Sequence, residues 1–188
     1  MTTIARTLRN AVATVALASM AGAALAQAPS AAAPASEASP LAVLQTILSN
    51  PTDLNFVKQY TTDDFTYVSL NYEKPEVKQV LPWAGTTKGT EALVQTFIDV
   101  HRYWTVNDFQ IQDSFENQDG AAIFGSFTYT SNTLGKTVTS PFAVLARGKN
   151  GKLSYVQFME DTFATVRSFR ESGEYRIKAN PNGSETDI

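Results

Sequence analysis

One histidine, His101, and one acid closing an alternating stretch, Asp161, are the residues best placed to move a proton in this 188-residue chain. Tyr155, Gln157, Met159 and Asp161 share one face of an extended segment, provided no bulge intervenes. A carboxylate ending such a face, enclosed by apolar side chains, has its pKa raised by desolvation and can shuttle protons. The competing reading is that Asp161 or Thr162 caps a short helix over residues 163–170. His101 falls on the apolar side of a helical pattern with Phe97 and Trp104. There it could bond a ligand or pair with Asp161, or be a satisfied structural group. Tyr67, alternating with Phe65 and Ser69, and Tyr129, alternating with Phe127, could each polarise a carbonyl in an oxyanion hole. Each could equally pack in the core with its hydroxyl at an edge.

The pocket wall around such groups would be apolar. Phe97, Trp104, Phe142 and Met159 read as core residues that double as lining, with Gln157 beside them. Trp83, in a long connection, is either a lid over the pocket mouth or a plug that anchors its own loop. The chain lacks a G-x-S-x-G elbow, a phosphate-cradling glycine loop and an H-E-x-x-H pair. With one histidine and no cysteine, no metal site is expected, and cofactor-free chemistry is the default.

Several elements must hold these residues in place. Leu41, Leu44 and Leu48 recur at helical spacing, and after Pro51 the stripe continues through Leu54, Val57 and Tyr60. Residues 65–70 alternate as a strand. Residues 71–88 form a connection too long to be idle in a small domain. A helix over residues 90–104 follows, with Leu93, Phe97, Val100, His101 and Trp104 on its apolar side. The period then changes to two: four strands cover 109–116, 121–131, 137–147 and 153–162, separated by the turns NQDG, LGK and KNGK. Helices followed by a meander predict an α+β domain, one curved antiparallel sheet wrapped around N-terminal helices.

This order, together with the run GTTKG at 85–89 leading into TEALVQTF, resembles the SnoaL-like branch of the nuclear transport factor 2-like superfamily. Gly151, Lys152 and Leu153 opening the last strand and the run Met159, Glu160, Asp161 and Thr162 closing it carry the same likeness. The resemblance covers residues 41–169. It implies a cone-shaped (cystatin-like) fold, a pocket between the concave sheet face and the helices, and dimerisation through the sheet. It also implies a pocket carboxylate at the position of Asp161. Function does not follow from it, because one scaffold of this kind hosts isomerases, cyclases, hydratases and non-catalytic binding modules.

The N-terminus speaks to location. Arg6 and Arg9 precede an Ala-rich apolar run over residues 11–26 that closes on Ala24, Leu25 and Ala26, the pattern of a cleaved signal peptide. Residues 27–40 form an Ala/Pro/Ser linker, 41–170 the domain and 171–188 a C-terminal tail. The expected product is exported, periplasmic or secreted, with no stable membrane anchor after cleavage. Cleavage leaves 13 basic against 18 acidic residues, a balance that argues against nucleic acid as partner. Two readings stand: a cofactor-independent acid–base enzyme for a small apolar molecule, with Asp161, His101 and Tyr67 as its machinery, or a non-catalytic periplasmic binding or assembly module. A homodimer is expected in either case.

Overall fold

The computed structural model describes residues 38–73 and 75–188. The expected signal peptide (1–26) and all but the last residues of the expected linker lie outside the described residues. Helix α1 (Pro40–Ser49) begins where Ser39 accepts a hydrogen bond from Ala42 N, with Pro40 in the first turn, where a missing N–H costs nothing. Asp53 caps α2 (Leu54–Lys58) in the same way, its Oδ1 accepting from Phe56 N at 3.0 Å. Strand β1 (Thr61–Ser69) follows. The long connection contains structure of its own: helix α3 (Pro75–Lys78) and strand β2 (Gly85–Lys88), which pairs antiparallel with β1. Gly89 then takes φ +93°, a left-handed turn that an L side chain resists, and α4 (Thr90–Tyr103) starts.

Strands β3 (Trp104–Asn117), β4 (Gly120–Ser131), β5 (Thr137–Lys149) and β6 (Lys152–Glu160) form the meander. Asn117 Oδ1 accepts from Asp119 N and Gly120 N, which closes the first hairpin. Asn150 and Gly151 both adopt positive φ, as a two-residue hairpin between β5 and β6 requires. The six-stranded sheet runs β2-β1-β6-β5-β4-β3. All neighbours are antiparallel except β1 and β6, a parallel pair that the meander pattern alone did not indicate. Helix α5 (Thr162–Arg167) closes the domain, and strands β7 (Arg176–Ile177) and β8 (Thr186–Asp187) form a small ribbon within residues 171–188.

The α+β cone is as expected, and its core explains why it holds. Val43, Leu44 and Ile47 of α1, Val57 of α2 and Leu93 and Val94 of α4 meet the inward side chains Phe65, Ile123, Phe127, Val144, Leu153 and Val156 of the sheet, all at most 4% exposed. Burying each such side chain contributes roughly 1.5–3 kcal/mol. Gly125 on β4 leaves room for the Phe142 ring; a Cβ there would stand 2.7 Å from that ring and 2.0 Å from Gln110 O. A second cluster, Leu81, Ala84 and Trp104 with Trp83, Tyr103 and Phe169 against them, ties the long connection to the ends of α4 and α5.

One irregularity governs the site. Along β5 and β6, Lys149 faces Lys152, Gly148 faces Leu153 and Arg147 faces Tyr155, so Ser154 is the extra residue of a bulge. Leu153 points into the core before the bulge, and after it Val156 does. The inward face of β6 is therefore Val156, Phe158 and Glu160. Tyr155, Gln157 and Met159 lie on the other face, which corrects the phase expected from unbroken alternation.

Candidate functional site

Between the sheet and α4 lies a narrow pocket of about 40 Å³. Strand β1 supplies Tyr67 and Ser69, β4 supplies Tyr129, and β6 supplies Phe158 and Glu160. Thr96, Phe97 and Val100 project from successive turns of α4, and Trp83, Trp104 and Phe109 complete an aromatic wall. A small apolar annex of about 10 Å³ under α1 shares Tyr67, Phe97 and Phe158 with it. A larger open groove exists at the opposite, turn-lined end, near Ser39, Asn117 and Gly151. The charged groups there, Glu116, Asp119, Lys149 and Lys152, are all exposed.

The pocket is different. Burial pushes the Glu160 carboxyl up to about 7, and the neighbouring Asp161 charge adds to the rise, while a hydrogen bond from Thr165 Oγ1 to Glu160 Oε1 at 2.8 Å opposes it. Glu160 thus sits where it can both give and take a proton near neutrality. Burial likewise raises the Tyr67 phenol to about 12, with the Ser69 and Thr96 hydroxyls beside it partly offsetting that effect and the Glu160 charge reinforcing it. Tyr129 is pushed up further by burial, then by Glu160 and Tyr67. Both phenols stay protonated donors. The pocket has one carboxyl, two phenols, two aliphatic hydroxyls and no basic side chain.

The expected site residues divide accordingly. Tyr67, Trp83, Phe97, Trp104 and Tyr129 line the pocket. Trp83 meets the Tyr103 and Trp104 rings edge-on at 5.1 and 5.6 Å, closing one side. Phe142 stands one layer behind, stacked on Phe109 at 4.5 Å and beside Phe158 at 5.6 Å. Gln157 turns to the other face of the sheet and accepts a hydrogen bond from Tyr155 OH at 2.9 Å, and Met159 is 39% exposed there. Asp161 is outside the pocket: its Oδ1 accepts from Ala164 N at 3.0 Å, capping α5. His101 is exposed near the end of α4, with Nδ1 2.7 Å from Phe97 O, and does not meet Asp161 in a shared cavity. Glu160 went unnoticed in sequence because it is out of phase with Tyr155 and Met159; the signal was Leu153, whose strong apolar character conflicts with an outward Tyr155 unless a residue is inserted between them. Among the described residues no group of three His, Asp or Glu is arranged to hold a metal ion.

No family model matches the chain. Two curated relatives do. Patulin synthesis protein F of Aspergillus clavatus is 38% identical over 156 residues, covering 80% of this chain and 79% of its own. Patulin biosynthesis cluster protein F of Penicillium expansum is 38% identical over 153 residues, covering 78% and 77%. Among solved structures, a nuclear transport factor 2-like protein of Burkholderia xenovorans superposes with a TM-score of 0.60 at 13% identity, over 72% of this chain and all of its own. A SnoaL-like protein of Jannaschia does so with 0.55 at 11% identity, over 70% and 93%.

Proposed function

This chain belongs to the family of the patulin F proteins, on the SnoaL-like branch of the nuclear transport factor 2-like superfamily, and from that premise we propose a cofactor-independent acid–base enzyme acting on a small neutral carbonyl compound. The likeness to SnoaL-like polyketide cyclase and isomerase-like structures supports a small-molecule-binding domain. The names of the relatives place them in the making of a small molecule, which favours turnover over mere binding. The observation that carries the proposal is a single carboxyl, Glu160, raised toward neutrality in an aromatic pocket that also holds two protonated phenols.

The chemistry follows from the side chains present. Ionised Glu160 takes a proton from a carbon next to the ligand carbonyl, and the electron pair moves onto the carbonyl oxygen. Tyr67 and Tyr129, both neutral, donate hydrogen bonds to the developing oxyanion. Protonated Glu160 then returns the proton to another atom of the same ligand, so a double bond moves or a ring closes without net gain or loss of atoms. An anionic ligand is disfavoured, because the pocket offers it a carboxylate and no cation. The test is native mass spectrometry of what co-purifies, followed by turnover of that compound with wild-type protein and Glu160→Gln. Binding without conversion by either form would replace the enzyme with a binding module.

The proposal has two outer parts. The leader directs export, with cleavage after Ala26, which a mature mass beginning at Gln27 checks. A second copy covers the outer sheet face, where Phe124, Ala143 and Met159 stand opposite one another on β4, β5 and β6 and Phe115 lies 6.2 Å from Phe124. Exposed apolar side chains in such a row favour burial against another surface. Sedimentation of wild type and Phe124→Glu tests it: a dimer that the substitution splits supports it, and a wild-type monomer ends it.

A further inference from the structure

We propose that Thr165 is the positioning residue of Glu160, a hydroxyl rotor that keeps the carboxyl paired in both of its protonation states. The inference rests on the reading of Glu160 as the proton shuttle and adds how that shuttle is held. Thr165 Oγ1 lies 2.8 Å from Glu160 Oε1, 3.1 Å from Thr162 O and 3.3 Å from Asp161 O. A hydroxyl has one hydrogen and two lone pairs, so it can satisfy only one of these acceptors at a time. While Glu160 is ionised, the hydrogen goes to the carboxylate, the strongest acceptor of the three. Once Glu160 is protonated, its O–H can donate to Thr165 Oγ1, whose own hydrogen turns to the Thr162 carbonyl. Neither state leaves the carboxyl oxygen facing Thr165 unpaired. Thr165 is 1% exposed, so its hydroxyl is shielded from bulk water.

The rotor is fixed to the pocket wall. Trp104 Nε1 donates to Ser168 Oγ at 2.9 Å, and Ser168 Oγ donates to Thr165 O at 2.7 Å. All three residues are at most 4% exposed. Asp161 caps the same short helix from its other end. The groups that face Glu160 are therefore few: the Tyr67 phenol from β1, the Tyr129 phenol from β4, the Asp161 carboxylate next in sequence and the Thr165 hydroxyl from α5. Helix α4 and the Trp83 loop present only Thr96, Phe97, Val100 and Trp83, β3 presents Trp104 and Phe109, and Phe142 of β5 pairs with Glu160 in register. With no cation among these, Thr165 is the group that favours the ionised form.

The experiment reads the Glu160 carboxyl itself. Carbon-13 NMR of protein labelled at glutamate carboxyls, with the Glu160 signal assigned by its loss in Glu160→Gln, follows the titration without any ligand. Thr165→Val keeps the shape and removes the donor; it should raise the midpoint by about one pH unit, the scale of a lost hydrogen bond to a charged group. Thr165→Ser keeps the donor and should titrate within a few tenths of a pH unit of wild type, on the order of experimental scatter. A valine variant with the wild-type midpoint, or a serine variant displaced as far as valine, would overturn the proposal. Should the valine chain fail to fold, Thr165→Cys keeps the volume and weakens the donor, and the same upward displacement or its absence decides. Failure of the enzyme reading looks different: Glu160→Gln would retain turnover while the Thr165 effect on titration persisted.

Discussion

Glu160 and Asp161 are adjacent in the chain, yet their carboxyls serve different surroundings. Glu160 is the last inward residue of β6 and lines the pocket, where it accepts a hydrogen bond from Thr165. Asp161, one position later, leaves the strand and accepts from Ala164 N as the cap of α5. The pleat sends successive side chains to opposite sides, and the start of a helix then demands an acceptor at the next residue. The strand end delivers the carboxyl and the helix start supplies the hydroxyl that holds it.

The two acids should separate cleanly by substitution. Glu160→Gln should stay folded and lose turnover by about 10²–10⁴-fold, the usual worth of a general acid–base group. Asp161→Asn should retain turnover and stability, since Asn caps nearly as well, whereas Asp161→Ala should lose about 1 kcal/mol of stability. Urea unfolding alongside a turnover assay checks both. Equal activity in Glu160→Gln and wild type would remove Glu160 from the chemistry.

Stability should depend on pH with a sign set by Glu160. Its carboxyl rises from an ordinary 4.5 to about 7 in the folded chain. Between those values the folded protein keeps a proton that the unfolded chain has released, so the contribution is full below about 4.5 and is lost as pH rises through 7. The loss amounts to at most about 3 kcal/mol. Glu91, lowered chiefly by its hydrogen bond from Lys58, acts in the opposite sense at lower pH. Comparing melting temperatures of wild type and Glu160→Gln at pH 5 and pH 8 isolates the Glu160 part. Parallel curves for the two proteins would contradict it.

Tyr67→Phe and Tyr129→Phe each remove one donor with little change of volume. If the phenols hold the oxyanion, each should reduce kcat by about 10–10³-fold with a smaller change in KM. Stability should change little, or rise where a buried hydroxyl lacks a strong partner. A pure KM effect in both variants would assign the phenols to ligand binding alone.

The fold was legible because its signals are local and repeated. The helical stripe of Leu44 and Val57, the change to period two after Trp104, and the Asn150–Gly151 turn each name their element. The wall of the site was legible for the same reason: Phe97, Trp104 and Tyr129 are large apolar residues on faces that must turn inward. The carboxyl was not. One bulge at Ser154 exchanges the faces of β6, and nothing in the alternation of Tyr155, Gln157 and Met159 reveals it. His101 misled for a related reason: it lies near the end of α4, where one residue of rotation separates the core side from solvent, and its ring settles against the Phe97 carbonyl instead. The parallel pairing of β1 with β6 is a contact between distant segments, which local periodicity does not encode.

Trp83 offers a direct optical test of the pocket. Its ring lines the cavity and meets Trp104 at 5.6 Å and Tyr103 at 5.1 Å, so it closes one wall from a connection otherwise held by Leu81 and Ala84. A second depression on its far side, lined by Pro82, Thr87 and Gln95 and also reaching Tyr67 and Thr96, leaves Trp83 as the partition between solvent and pocket. An apolar ligand entering from that side must displace or contact this indole. Tryptophan emission should therefore change on ligand addition, and Trp83→Phe should abolish most of that change while leaving Trp104, bonded through Nε1 to Ser168, as a steady background. Trp83→Ala should open the partition and increase ligand exchange rates, at a stability cost of about 1–3 kcal/mol for a partly buried aromatic ring. An emission change that survives intact in Trp83→Phe would transfer the reporter to Trp104 and place ligand entry elsewhere on the cone.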